Sequence, residues 1–153
     1  MEWFTDLLSN PYLIISLSSW FVAQVLKVII NAIVNRKLSF ERLVGDGGMP
    51  SGHSATVASL ATICGILHGT ASFEFAVSFV LAVIVCHDAM GVRQETGKQA
   101  VILNEIINSF TVLTGEDLPE VKLKEFVGHT PIQVIAGILI GVINAFVIHG
   151  FLF

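Results

Sequence analysis

Two histidines in this chain each stand at the entrance of an apolar segment. The first lies in the run Gly47-Gly48-Met49-Pro50-Ser51-Gly52-His53-Ser54-Ala55. A helix N-terminus presents unpaired N–H groups and the positive end of its macrodipole, and Gly47, Gly48 and Gly52 let an anion's oxygens approach the backbone. Ser51 adds a hydroxyl, and His53 an imidazole able to protonate a leaving group. A plainer reading of the same residues has Ser51 capping a helix and His53 at an interface. The second histidine lies in Phe126-Val127-Gly128-His129-Thr130-Pro131-Ile132-Gln133. Here Thr130 as N-cap, Pro131 at the first helical position and Gln133 at N3 form a Thr-x-x-Gln capping box, so His129 also precedes a helix start.

Further groups fall where they can join these two. Gln24, Lys27, Asn31 and Asn35 recur at three or four positions, a polar stripe on an otherwise apolar helix. Such a stripe faces the protein interior or a wet cavity. A lysine inside a span costs roughly 2.5–3.5 kcal/mol at mid-membrane, so it has a task, a counter-ion or a route by which to snorkel to the surface. The stretch Cys86-His87-Asp88-Ala89-Met90-Gly91-Val92-Arg93 closes another apolar run with an imidazole, a carboxylate and a guanidinium. Asp88 can neutralise Lys27 or Arg93, or orient a catalytic histidine. Two imidazoles, two helix N-termini and several cations on one membrane face can be assembled into a phosphoryl-transfer site. One imidazole attacks phosphorus, the other protonates the departing oxygen, and fixed cations hold the equatorial oxygens. His68 and His149 fall toward the opposite face.

The elements that must position these groups belong to a membrane protein. In 153 residues, 54% are hydrophobic and 13% charged, about half the charged share of a soluble domain. Tyr12 to Val34 holds a single charge, Lys27; Phe73 to Cys86 holds only Glu74; Pro131 to Phe153 holds none. Spans of about 20 apolar residues cross a bilayer. The expected order is helix 1 at about 12–35, a polar loop at 36–50, helix 2 at about 52–68, helix 3 at about 73–92, a long insert at 93–129 and helix 4 at about 131–151. Helix 2 is shorter and richer in Ala, Thr and Gly, but is counted as a span. Within the insert, Ala100, Leu103, Ile106, Ile107 and Phe110 recur at helical spacing, predicting an amphipathic helix; Gly115 to Glu120 reads as a loop. The fold class is thus all-α, an integral membrane bundle of about four transmembrane helices plus the amphipathic helix, in one domain over 1–153.

Four spans place both termini on one side and the 36–50 and 93–129 segments on the other. All eight Lys and Arg lie at or toward the loop side, so the positive-inside rule puts the candidate site in the cytoplasm and both termini outside. No cleavable signal peptide is read at the N-terminus. Gly137, Gly141 and Ala145, four apart, and Ser54, Ala58 and Gly65 offer small surfaces for close helix packing. Cys64 and Cys86 read as free, buried thiols. The net charge of −4 gives no reason to expect nucleic acid.

Lys27, Pro50-Ser51-Gly52-His53, Arg93 and His129-Thr130-Pro131-Ile132-Gln133-Val134-Ile135-Ala136-Gly137 resemble the three signature motifs of the type 2 phosphatidic acid phosphatase and vanadium-dependent haloperoxidase superfamily. With Gly47 to Ala55 and Asp88-Ala89-Met90-Gly91-Val92-Arg93, the whole chain resembles that superfamily's small divergent membrane branch. The resemblance implies that His129 is the phosphate-accepting nucleophile and His53 the general acid that later activates water. It implies that Lys27, Arg93 and Arg42 clamp the phosphate with Ser51 and the Gly52 amide, and that no metal or other cofactor is needed. Three positions depart from the pattern. Neither Arg36 nor Arg42 precedes proline, Arg93 is far from His129 in sequence, and Gln133 stands where the resemblance expects a carboxylate. An amide orients and stabilises an imidazolium poorly, leaving Asp88 or Glu125 as substitutes.

The leading expectation is a membrane phosphatase hydrolysing a phosphomonoester or diphosphate, lipid-linked or free, through a phosphohistidine. The alternative is a membrane protein that keeps the pocket to bind an anionic headgroup or a partner; a small transporter subunit is a third. The expected partners are the bilayer, a phosphate-bearing molecule and, for so small a bundle, further copies of itself.

Overall fold

A computed structural model describes residues 2–36, 48–114, 123–125 and 127–153. The described residues form six helices and no strand: α1 (Glu2–Leu8), α2 (Pro11–Asn35), α3 (Gly52–His68), α4 (Phe73–Met90), α5 (Val92–Thr114) and α6 (Pro131–Leu152). Arg42, most of the 36–50 loop and the expected loop at 115–120 lie outside the described residues. The short α1 carries no periodic apolar signal long enough to announce it.

Local chemistry sets the helix starts. Asn10 accepts hydrogen bonds from the amides of Tyr12 and Leu13, with Pro11 opening α2. Ser51 accepts from Ser54 N–H to start α3, and Ser72 from Phe75 N–H to start α4. At α6, the Gln133 Oε1 accepts from Thr130 N–H at 3.1 Å, with Pro131 in the first turn. The expected third helix stops at Met90 rather than 92. Gly91 breaks it, and the amphipathic helix begins at once as α5.

The bundle is an integral membrane architecture. Among the described residues three segments are long and apolar enough to cross a bilayer: Pro11–Val34, a window within Phe73–Leu113, and Pro131–Leu152. The fourth expected span, α3, has 17 residues, about 25 Å against a hydrocarbon core of about 30 Å. It is the inner helix, packed on α2, α4 and α6. The outer helices turn Phe21, Ile29, Phe79, Ile84, Leu139 and Ile143 outward, as lipid-facing surfaces must.

Small residues bring α3 and α6 together backbone to backbone. A Cβ on Gly137 would lie 2.4 Å from the Ser51 carbonyl oxygen, and one on Gly141 would lie 2.2 Å from that of Ala55. Ala145, next in the row, is fully buried with Ile15 and Ile63. Ser54 and Ala58 share this buried helix, whereas Gly65 meets the Phe75 ring of α4 instead. Polar groups add interhelical ties. Asn144 Nδ2 donates to Ser18 Oγ at 2.9 Å and Ser19 Oγ at 2.8 Å, joining α6 to α2. At the end bearing the α3 C-terminus, the Tyr12 hydroxyl pairs with His68 Nε2 and the two rings stack. Cys64 and Cys86 are buried and free.

Candidate functional site

Four helix ends meet at the other end of the bundle. The Ser51 N–H donates to the Gln133 carbonyl at 3.0 Å, tying the start of α3 to the first turn of α6. The His129 N–H donates to the Ala89 carbonyl at 3.0 Å, tying the approach to α6 to the end of α4. Beneath these ties Val57, Cys86, Ala89 and Val134 form one apolar cluster. The interior half of α2 closes the remaining side.

Lys27 is 4% exposed, so it does not snorkel. Its stem lies along Gly48, where a Cβ would sit 3.5 Å from Lys27 Cγ. Gly48 adopts φ 92°, a conformation natural to glycine, and Met49-Pro50 is a cis peptide leading into Ser51. One turn and two turns back on α2, Gln24 and Trp20 face the α3 N-terminus: a Cβ on Gly52 would lie 3.3 Å from Trp20 Cδ1 and 3.5 Å from Gln24 Nε2. The polar stripe thus faces inward at Gln24 and Lys27, with Asn31 half-buried.

Ser51 is fully buried and its acceptor capacity is spent on the helix. Its Oγ accepts from Ser54 N–H at 3.3 Å and from Ser54 Oγ at 2.9 Å. Its own N–H is taken by Gln133, so the amides of Gly52 and His53 are what this terminus presents to an anion. His53 is exposed, one turn above Val57 and hence above the cluster containing Ala89 and Val134. His129 is 4% exposed, held among the ends of α4, α5 and α6.

Arg93 and His129 are 36 positions apart in sequence, and the backbone just before His129 packs on the backbone at Arg93. A Cβ on Gly128 would lie 2.7 Å from the Arg93 carbonyl carbon and 2.4 Å from the Gln94 nitrogen. Gly128 has φ 88°, and any larger residue would lose this approach. Arg93 Nε donates to Asp88 Oδ2 at 2.7 Å, with about two-fifths of each side chain exposed. Of the partners considered for Asp88, the guanidinium has it. Glu125 is held elsewhere: its Oε1 accepts from Asn104 Nδ2 at 2.8 Å. Gln133 is turned back onto Thr130 as a cap.

Sequence reasoning missed two features. The Ala89 carbonyl that anchors His129 is a backbone group, invisible to residue type. Asn104, on the amphipathic helix, grips the approach to His129; Gly97 and Gly128 were the signals, since each marks a close backbone contact. Among the described residues no three His, Cys, Asp or Glu side chains gather as metal ligands. Beside the site, α4 and α6 lean on α3 and diverge from each other. They leave a cavity of about 510 Å³ floored by Ala58 and Thr62, walled by Phe79, Cys86 and Ile138, and reaching His87.

The fold and site define a helical membrane protein whose one end gathers a helix N-terminus, a buried lysine and a buried histidine. Residues 8–144 match the divergent PAP2 family, and the chain belongs to that family, within a phosphatase-like superfamily. It is also 42% identical over 152 residues to the uncharacterized membrane protein YuiD of Bacillus subtilis strain 168, covering 94% of this chain and 96% of that protein. No solved structure matches the chain.

Proposed function

We propose that the protein is a membrane phosphohydrolase acting on a phosphomonoester or diphosphate carried by a lipid. The observation that carries this reading is the meeting of buried Lys27, the α3 N-terminus and buried His129 at one end of the bundle. In the first step the His129 imidazole attacks phosphorus as the ester or anhydride P–O bond breaks, and His53 gives its proton to the leaving oxygen. In the second, His53 takes a proton from water as the oxygen attacks the phosphohistidine, releasing phosphate and restoring His129. Lys27, Arg93, the Gly52 and His53 amides and, from the loop, Arg42 hold the charged oxygens; Ser51 supports them as the cap. Asp88 acts through Arg93 and the neighbouring Ala89 carbonyl. The adjoining apolar cavity, within the usual ligand-pocket range of about 300–1,000 Å³, favours a substrate with a hydrocarbon chain. The site faces the cytoplasm in this reading and both termini lie outside.

Phosphate release by purified protein, without added metal, from phosphatidic acid, phosphatidylglycerophosphate, isoprenyl diphosphates and a chromogenic phosphomonoester tests the reading. Turnover is expected, falling by at least about 100-fold in His129→Ala and His53→Ala while both variants stay folded. Undiminished turnover in both refutes it. One observation favours a second reading, a non-catalytic headgroup binder: Gln133 is committed to capping, leaving no carboxylate at that position. Saturable phospholipid binding without turnover supports that alternative, and phosphate trapped on His129 excludes it.

A further inference from the structure

The segment that delivers His129 runs back along α5 and is fastened to it at three levels. At the first, Asn104, itself only 8% exposed, spends its whole carboxamide on the segment. Its Nδ2 donates to the Leu123 carbonyl at 3.0 Å and to Glu125 Oε1 at 2.8 Å, while its Oδ1 accepts from Leu123 N–H at 3.0 Å. At the second, a Cβ on Gly97 would fall 2.7 Å from the Glu125 carbonyl oxygen and 2.8 Å from that of Val127. At the third, Gly128 sits on the backbone of Arg93 and Gln94. His129 then bonds Ala89.

Leu123 and Gly128 are thereby held against α5 at Asn104 and Arg93, 11 helical positions or about 16–17 Å apart along the axis. A slip of one residue in the pairing at Asn104 displaces the segment by about 3 Å, enough to carry His129 away from an attacking geometry. Among the described residues nothing else at the far end of the segment reads its register so specifically, since only Asn104 bonds both the N–H and the C=O of one residue there.

We propose that Asn104 is a positioning residue, the register pin at Leu123 that holds His129 in place from the far end of this segment. The consequence for turnover rests on the function proposed above; the pinning itself does not. The test is amide hydrogen exchange on the full-length protein in detergent micelles, comparing wild type, Asn104→Asp and a double variant that combines Asn104→Asp with Glu125→Gln. The first substitution turns the donors that face the Leu123 carbonyl and Glu125 into a repelling oxygen. The second restores a donor from the other side, since the new carboxamide at position 125 can bond the new carboxylate at position 104.

Exchange at the His129 amide, whose partner Ala89 neither substitution touches, is expected to quicken by about tenfold or more in Asn104→Asp and to slow again by about threefold or more in the double variant, short of wild type because the Leu123 carbonyl still faces an oxygen. Protection in α3 is expected to hold in the double variant. A His129 amide still protected in Asn104→Asp, or unrecovered in the double variant, overturns the proposal; if the single variant unfolds, the recovery alone decides. In a turnover assay kcat is expected to fall about tenfold or more in Asn104→Asp with KM unchanged, and to recover with Glu125→Gln. Wild-type protein without turnover would refute the proposed function while leaving the exchange result to judge the pin.

Discussion

Gly141→Ala and Gly150→Ala make the same chemical change on α6 and should have opposite consequences. Around Gly150 no atom beyond its chain neighbours and its own helix backbone lies within 4 Å of the position a Cβ would take. The new methyl there meets lipid or water, and replacing glycine by alanine inside a helix stabilises by about 0.8–1 kcal/mol, less near a fraying end. At Gly141 the same methyl would lie 2.2 Å from the Ala55 carbonyl oxygen and 3.0 Å from Ala55 Cα. Ordinary contact begins near 3.4 Å, so the helices are about 1.2 Å too close at that point. Both groups are backbone or attached directly to it, and no side chain can rotate to make room. Overpacking of this kind costs about 1–3 kcal/mol, and separation of α3 from α6 would also strain the Asn144 ties to Ser18 and Ser19, adding to the upper end. We expect Gly141→Ala to be less stable than wild type by about 2 kcal/mol and Gly150→Ala to be equal or slightly more stable. Reversible unfolding in mixed micelles, followed by circular dichroism on both variants side by side, measures the difference. Equal stability of the two variants would refute the backbone-to-backbone account of the α3–α6 contact.

Two further outcomes bear on the site. Gln133→Glu keeps an oxygen acceptor for Thr130 N–H and adds negative charge at a helix start; stability should be unchanged or higher by about 0.3–1 kcal/mol. Turnover should change less than about threefold, because the side chain is turned to the cap; a large gain in phosphate release would show that it reaches His129 instead. Lys27→Met keeps the length and apolar stem of a buried side chain while deleting its charge. Affinity for inorganic phosphate or vanadate, measured by calorimetry, should fall by about tenfold or more with the fold retained, and unchanged affinity would remove Lys27 from the anion site.

Much of the helical plan was legible along the chain because its causes are local. Apolar runs of membrane length, Ser51 and Thr130 as caps, and Pro131 at a first helical position announce α2, α3, α4 and α6 within a residue or two. The short α1 was missed, and Gly91 ended α4 early because a helix break depends on one residue. The inward placement of Lys27 needed the structure to separate it from snorkelling, since both fit the same position on α2. Asp88, Glu125 and Gln133 show the limit more sharply. Each is a plausible imidazole partner by type, yet each has another partner in space: Arg93, Asn104 and Thr130.

The sequence by itself determined that the chain is a helical membrane protein, where its helices begin, and which residue types are available for phosphate chemistry. These follow from hydropathy and capping, which act over a few residues. Only the tertiary structure decided that α3 is the shared inner helix, that Gly128 beside His129 packs on the backbone of Arg93, 35 positions away, and that Leu123 and Glu125 bond to Asn104 of α5. Those outcomes depend on how closely backbones can approach at Gly97, Gly128, Gly137 and Gly141, and on hydrogen bonds to carbonyl groups that every residue carries alike. A row of letters records the absence of a side chain, but the surface that fills its place comes from elsewhere in the fold.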